Sequence, residues 1–211
     1  MISSPTLARF MFETGAVELN IKEPFTWASG LKSPIYCDCR ILLSNHAERL
    51  FFITSFHNII SHKFNSASVI AGVATAGIAW AGFLAPLLNW PMLYVRSQPK
   101  NHGKGKQIEG EVNLDSRIVV VEDVISTGMS SLNAVNVLRE NGYRVEGVVC
   151  IFDYRFSETD DKFKEANVAK ASLVNLTDLI NYANERGIIV DEIALEILHW
   201  RGNPKMWKPK T

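Results

Sequence analysis

From residue 68 onward the chain alternates between two hydrophobic rhythms. Short, nearly continuous apolar runs stand at 68–73 (SVIAGV), 91–95 (PMLYV), 117–122 (RIVVVE) and 145–153 (VEGVVCIFD), with a shorter one at 170–175 (KASLVN). Runs of this length, rich in Val and Ile, predict strands buried on both faces. Helical stretches at 75–88, 130–141 and 156–167 separate them, and two more, 177–186 and 190–200, finish the chain. Gly142 supplies the stop for the second of these helices. Strand–helix alternation of this kind predicts an α/β fold, a parallel sheet with helices on both faces.

Before residue 68 the pattern differs. Leu7, Phe10, Met11 and Val17, behind Pro5, predict a first helix over 4–19. The stretch EPFTWASGLKSPIYCDCR carries two prolines, Gly30 and several β-formers, which predicts a hairpin or an extended loop. A helix is expected over 45–64, with Asn45 as its cap and Glu48 three residues on.

Composition narrows the class. The 211 residues suit one α/β domain and can bury a sizeable core. Apolar residues make up 47% and charged residues 21%, an ordinary globular balance. With 22 basic and 22 acidic residues the formal charge is zero, which argues against a global electrostatic grip on nucleic acid. The N-terminus lacks the charged and apolar regions of a signal peptide. The most apolar segment, 69–88, is interrupted by Gly72, Gly77, Gly82 and Pro86 and reads as a buried strand and helix, not a membrane span. Three cysteines, Cys37, Cys39 and Cys150, are an odd set that predicts free thiols in a reducing, cytoplasmic setting. Cys37-x-Cys39 lacks the second ligand pair a metal site would need.

The chemistry concentrates in RIVVVEDVISTGMSS, residues 117–131. An apolar strand runs into Glu122 and Asp123, and a Ser/Thr/Gly loop at 124–129 leads into a helix. In a parallel sheet, ligands bind beyond the carboxyl ends of the strands. The unpaired N–H groups at the helix start, the freedom of Gly128 and the hydroxyls of Ser126, Thr127, Ser130 and Ser131 make a phosphate cradle. Acids so close would repel the phosphate itself. They make sense facing a hydroxylated sugar or a bound Mg²⁺, since a carboxylate accepts several hydrogen bonds and a ribose diol donates them. The arrangement predicts a phosphorylated ribose. Neither G-x-x-x-x-G-K-[ST] nor G-x-G-x-x-G is present. A second stretch, YVRSQPKNHGKGKQIEG (94–110), has four Lys or Arg, one His and no acid between Arg96 and Lys106. A cationic, glycine-rich loop after a strand fits a mobile lid over a diphosphate.

These residues resemble a known family. VVVEDVISTGMSS is similar to the phosphoribosyl-diphosphate signature of the type I phosphoribosyltransferases. The resemblance implies that Glu122 and Asp123 contact the ribose hydroxyls and that 126–130 holds the 5′-phosphate, within a binding stretch of Glu122, Asp123, Val124, Ile125, Ser126, Thr127, Gly128, Met129 and Ser130. The lid resembles that of the orotate phosphoribosyltransferases, R-K-x-x-K-x-H-G, through Arg96, Lys100, His102 and Gly103. PFTWASGLKSPIYCDCR resembles the same family's F-T-x-x-S-G-x-x-S-P segment through Phe25, Thr26, Ser29, Gly30, Ser33 and Pro34. Ala28, Ala76 and Ser97 stand where many members carry Lys.

The resemblance implies the type I fold as a single domain over 1–211, with a hood segment at 1–40 contributing to the base site and a core at about 45–185. It implies transfer of a 5-phosphoribosyl group from its 1-diphosphate to orotate, with Mg²⁺ held mainly through substrate and water. Lys100, His102 and Asp123 are the implied catalytic residues. Arg96, Lys100 and His102 would meet the diphosphate, and Ser126 and Arg155 the orotate. A homodimer sharing the lid across subunits is implied too. A purine or uracil acceptor is the rival within the enzyme class; the 24–40 segment argues against it. A nucleic-acid-binding regulator of the same fold is the rival outside that class; zero net charge and the lid argue against it. The chain is too short for a fused decarboxylase barrel.

Overall fold

A computed structural model describes residues 2–27, 29–99 and 106–209. Helix α1 (Ser4–Glu13) carries Pro in its first turn and buries Leu7, Ala8, Phe10 and Met11. It stops at Glu13, six residues short of the sequence expectation, because Gly15 turns the chain at φ 75°. Val17 therefore lies in strand β1 (Val17–Leu19). The short hairpin β2 (Phe25–Thr26) and β3 (Lys32–Ser33) follows, then β4 (Ile35–Cys37), which pairs antiparallel with β1. A 3-10 turn over Cys39–Leu43 leads to α2 (His46–Lys63). Asn45 does not cap α2 with its side chain; its amide donates back to the Ile41 carbonyl at 3.1 Å.

The core strands are β5 (Val69–Val73), β6 (Met92–Val95), β7 (Ile108–Glu109), β8 (Arg117–Ile125), β9 (Arg144–Asp153) and β10 (Ala169–Asn175). Their order is β10-β9-β8-β5-β6-β7. All pair in parallel except β7, which runs antiparallel to β6 at the edge, within what the sequence reads as loop. Helices α3 (Ala76–Leu88), α4 (Met129–Glu140), α5 (Ser157–Glu165), α6 (Leu176–Glu185) and α7 (Asp191–Gly202) complete the chain.

Strand alternation sorts the core onto two faces. Val119 and Val121 of β8 join the cluster that holds Trp80, Phe52 and Phe56, beneath α2 and α3. Ile118 and Val120 face the cluster built on Ala134, Val135 and Leu138 of α4 and Phe163 of α5. The apolar runs are near-continuous because both faces are covered.

From β5 the chain goes through α3 to β6 on one side, and later returns to place β8 on the other. Neighbouring strands whose connections leave in opposite directions open a crevice at their carboxyl ends. Two glycines let α3 close onto the sheet there. A Cβ on Gly77 would lie 2.3 Å from the Val121 carbonyl oxygen, and one on Gly72 would lie 2.8 Å from that of Gly77.

Candidate functional site

Three adjoining cavities lie along this crevice. The first, of about 340 Å³, is lined by Glu122, Asp123 and Val124 of β8, Ser130 of α4, Ala74 and Thr75 before α3, Ala76 at its start, and Cys37, Asp38 and Arg40. The sequence reading ends the strand at Glu122, whereas β8 continues through Ile125. The carboxylates therefore sit on the strand itself, and Val124 and Ile125 belong to it, not to the loop. Pairing with β9 as far as Ile125–Asp153 carries the strand on.

Glu122 is buried and Asp123 half-buried. Strand alternation would separate neighbouring side chains, yet the Glu122 carboxylate folds back to accept the Asp123 N–H at 3.1 Å, and both line one cavity. Asp123 accepts the Val124 N–H at 2.8 Å. Burial, and then the charge and hydrogen bond of Asp123, push the Glu122 carboxyl well above the usual range. Burial also raises Asp123, against the hydrogen bonds it accepts and the nearby Arg40. The pair thus retains a proton more readily than two exposed acids would.

Asp38 and Arg40 were not singled out from the sequence. Their local pattern, an acid two residues before a base, is too common to signal a site. Arg40 is held through Nε and Nη2 by the Asp38 carboxylate at 2.7 and 2.6 Å. That grip holds Asp38 below the usual carboxylate range and raises the guanidinium. It fixes a cation in the cavity that the acids line.

The second cavity, of about 370 Å³, shares Cys37 and Val124 with the first and adds Thr26, Trp27, Tyr36, Ser126 and Tyr154. Its aromatic walls come from the hairpin, from β4 and from the end of β9. Trp27 meets Tyr154 edge-on, with ring centroids 5.0 Å apart. A cavity with aromatic walls and a hydroxyl suits a planar heterocycle. Of these lining residues the sequence pointed to Ser126 but not to the aromatic trio, in which Tyr154 lies far along the chain from Trp27 and Tyr36.

The third cavity, of about 250 Å³, shares Ala74 and Ser130 with the first and adds Val73, Val95, Arg96, Ser97, Gln98, Met129, Asn133 and Ala134. Backbone pairing with Gln107 anchors Arg96, whose N–H donates to the Gln107 carbonyl at 2.9 Å. Its guanidinium lies 3.9 Å from Glu109. Lys100 and His102 lie outside the described residues.

The loop between β8 and α4 is short. Gly128, at φ 72°, precedes the first residue of α4. The N–H groups of Thr127 and Gly128 meet no acceptor among the described residues. Arg155 is not brought to the aromatic cavity. With its backbone at φ 58°, it faces Asp160 at 3.7 Å and lines a separate cavity with Arg201, Asn175 and Thr177. Cys37, Cys39 and Cys150 are free, as expected.

At the strand ends the crevice joins a Ser/Thr/Gly loop, two acids and a cationic flank, the arrangement expected of a phosphoribosyltransferase. Residues 43–176 match the phosphoribosyl transferase domain family. The orotate phosphoribosyltransferase of Bacillus cytotoxicus is 45% identical over 198 residues, which is 94% of each chain. Among solved structures, the orotate phosphoribosyltransferase of Aeropyrum pernix superposes with a TM-score of 0.75 at 30% identity, covering 87% of this chain and 99% of that one. The UMP synthase of Leishmania donovani matches with a TM-score of 0.80 at 25% identity over 95% of this chain, which spans 42% of that longer protein. The chain belongs to the orotate phosphoribosyltransferases, a branch of the type I phosphoribosyltransferase family.

Proposed function

We propose that the chain transfers the 5-phosphoribosyl group of 5-phospho-α-D-ribose 1-diphosphate to a ring nitrogen of orotate, releasing orotidine 5′-phosphate and diphosphate, a step of pyrimidine biosynthesis. The observation that carries this reading is the order of the three cavities. An aromatic chamber, a carboxylate chamber and a chamber flanked by Arg96 share walls in sequence, which matches base, ribose and diphosphate laid end to end.

In this reading the loop Ser126–Ser130 takes the 5′-phosphate on its free N–H groups and hydroxyls. Glu122 and Asp123 accept the ribose hydroxyls. Trp27, Tyr36 and Tyr154 enclose the pyrimidine, with Ser126 as its polar contact; Arg155 takes part only if the loop that carries it turns inward. As the C1–O bond breaks, the diphosphate leaves with the bonding pair and C1 becomes oxocarbenium-like. The ring nitrogen of orotate then bonds to C1 and gives up its N–H proton. Arg96, Lys100 and His102 stabilise the growing charge on the leaving group. Asp123 orients the ribose and is the less buried carboxylate, placed to take up a proton.

Mg²⁺ fits this donor set. Among the described residues no cluster of three ligating side chains could hold an ion by itself. Two carboxylates beside a diphosphate chamber suit a hydrated ion held mostly by substrate oxygens. Bound there, it would supply charge neutralisation for the diphosphate.

A homodimer sharing the 96–106 loop between subunits belongs to the same reading. Helices α2 and α3 leave Leu50, Phe51 and Leu87 exposed, apolar surface of the kind a second copy covers. No described helix is long and apolar enough to cross a membrane.

The test is a turnover assay on the purified protein with phosphoribosyl diphosphate and Mg²⁺, following orotate absorbance. Orotate is expected to be consumed, with uracil and hypoxanthine turned over at least a hundredfold more slowly, the scale set by unpaired polar groups in a built site. Turnover of a purine base with none of orotate would overturn the assignment.

A further inference from the structure

The phosphate loop is fastened from outside by one side chain. Thr159, in the first turn of α5, is buried, and its hydroxyl donates to the Ser126 carbonyl oxygen at 2.6 Å. The residue before that carbonyl is pinned as well, since the Tyr154 N–H donates to the Ile125 carbonyl at 3.0 Å. Two residues further on, Gly128 lies against the same helix. A Cβ there would come within 3.0 Å of Thr159 Cγ2 and 2.8 Å of Phe163 Cε2.

This contact has a directional consequence. In a trans peptide the C=O and the N–H of the next residue point opposite ways in one plane. Holding the Ser126 carbonyl towards α5 turns the Thr127 N–H away from α5, the direction in which a phosphate would meet it. We infer that Thr159 is a positioning residue for substrate: through the Ser126 carbonyl its hydroxyl sets the plane of the Ser126–Thr127 peptide and aims that N–H at the 5′-phosphate of the sugar diphosphate. Phe163 and the Thr159 methyl form the wall against which Gly128 turns. The hydroxyl acts on the loop and touches no substrate.

The inference rests on the proposed phosphate-binding role of Ser126–Ser130, and the experiment separates the two. Thr159→Val keeps shape and burial but removes the donor; Thr159→Ser keeps the donor and loses a methyl. Affinity for phosphoribosyl diphosphate with Mg²⁺ is measured by calorimetry, and KM for each substrate and kcat by turnover. A Thr127→Ala, Ser130→Ala double variant reports on the loop itself. Thr159→Val is expected to weaken sugar-diphosphate binding and raise its KM about three- to tenfold, the scale of one hydrogen bond, with a smaller rise in the orotate KM, since Ser126 also meets the base, and Thr159→Ser near wild type. If the double variant loses affinity while Thr159→Val does not, the positioning role is overturned and the loop reading stands. If neither loses affinity, the phosphate-loop reading itself is overturned. Equal rises in both KM values, or failure of Thr159→Ser to rescue, would reduce Thr159 to a packing residue.

Discussion

At the scale of single residues, the site depends on burying an acid that elsewhere would face water. Glu122 keeps its proton to higher pH in the fold than in the unfolded chain, where its pKa is about 4.3. Between that value and its raised one the folded state binds the extra proton, so stability is fullest below the window and falls as pH rises through it. Asp123 is raised in the same direction and adds to the trend. Glu122→Gln removes the larger part. Its ligand-free melting temperature should fall less steeply above about pH 4.3 than the wild type's, while sugar-diphosphate affinity drops. Thermal melts across pH check this, and an unchanged slope would mean that Glu122 is not the group that takes up the proton. The two acids were legible in the sequence because an apolar run ending in adjacent carboxylates is unusual. The Asp38–Arg40 clamp was not, because only the fold brings it into their cavity.

At the scale of elements, the aromatic chamber is held by a helix that carries no residue of the expected motifs. Trp200 of α7 is buried, with its ring 5.9 Å from Trp27, 6.0 Å from Tyr154 and 5.4 Å from Phe156. Its indole N–H donates to the Lys32 carbonyl at 3.0 Å, tying the β2–β3 hairpin to the C-terminal helices. Trp200→Ala should cost roughly 3–5 kcal/mol, as large-to-small changes in cores do. Trp200→Phe keeps most of the packing, so it should melt closer to wild type yet show a raised orotate KM as the hairpin loosens. A Phe variant with unchanged KM would confine Trp200 to stability. Periodicity found the helices and the core strands β5, β6, β8, β9 and β10, since most are long and strongly patterned. It overran α1 through Val17, whose apolar side chain suits either element until β4 is there to pair with it. It also missed β7, too short to have a pattern and formed only against β6.

At the scale of the whole molecule, the proposed lid and the carboxylates need not belong to the same chain. Lys100→Ala should lower turnover by about two orders of magnitude, the scale of one preorganised charge, and Asp123→Asn should weaken sugar-diphosphate binding. If the lid crosses between subunits, a heterodimer of the two variants has one site with both defects and one with neither. Mixed chains should then recover a substantial fraction of activity. Verified heterodimers that remain as inactive as either parent would place each lid over its own site.

The sequence by itself determined the elements and the local chemistry. Strand and helix periods, the two acids and the Ser/Thr/Gly turn are properties of neighbouring residues, and they survive being read in one dimension. Only the tertiary structure decided which distant groups share a wall. Trp27, Tyr36 and Tyr154 around one chamber, Arg40 in the cavity of Asp123, and Thr159 behind Ser126 are set by strand order and helix packing. Those depend on burial across the whole chain and leave no periodic trace in any one segment.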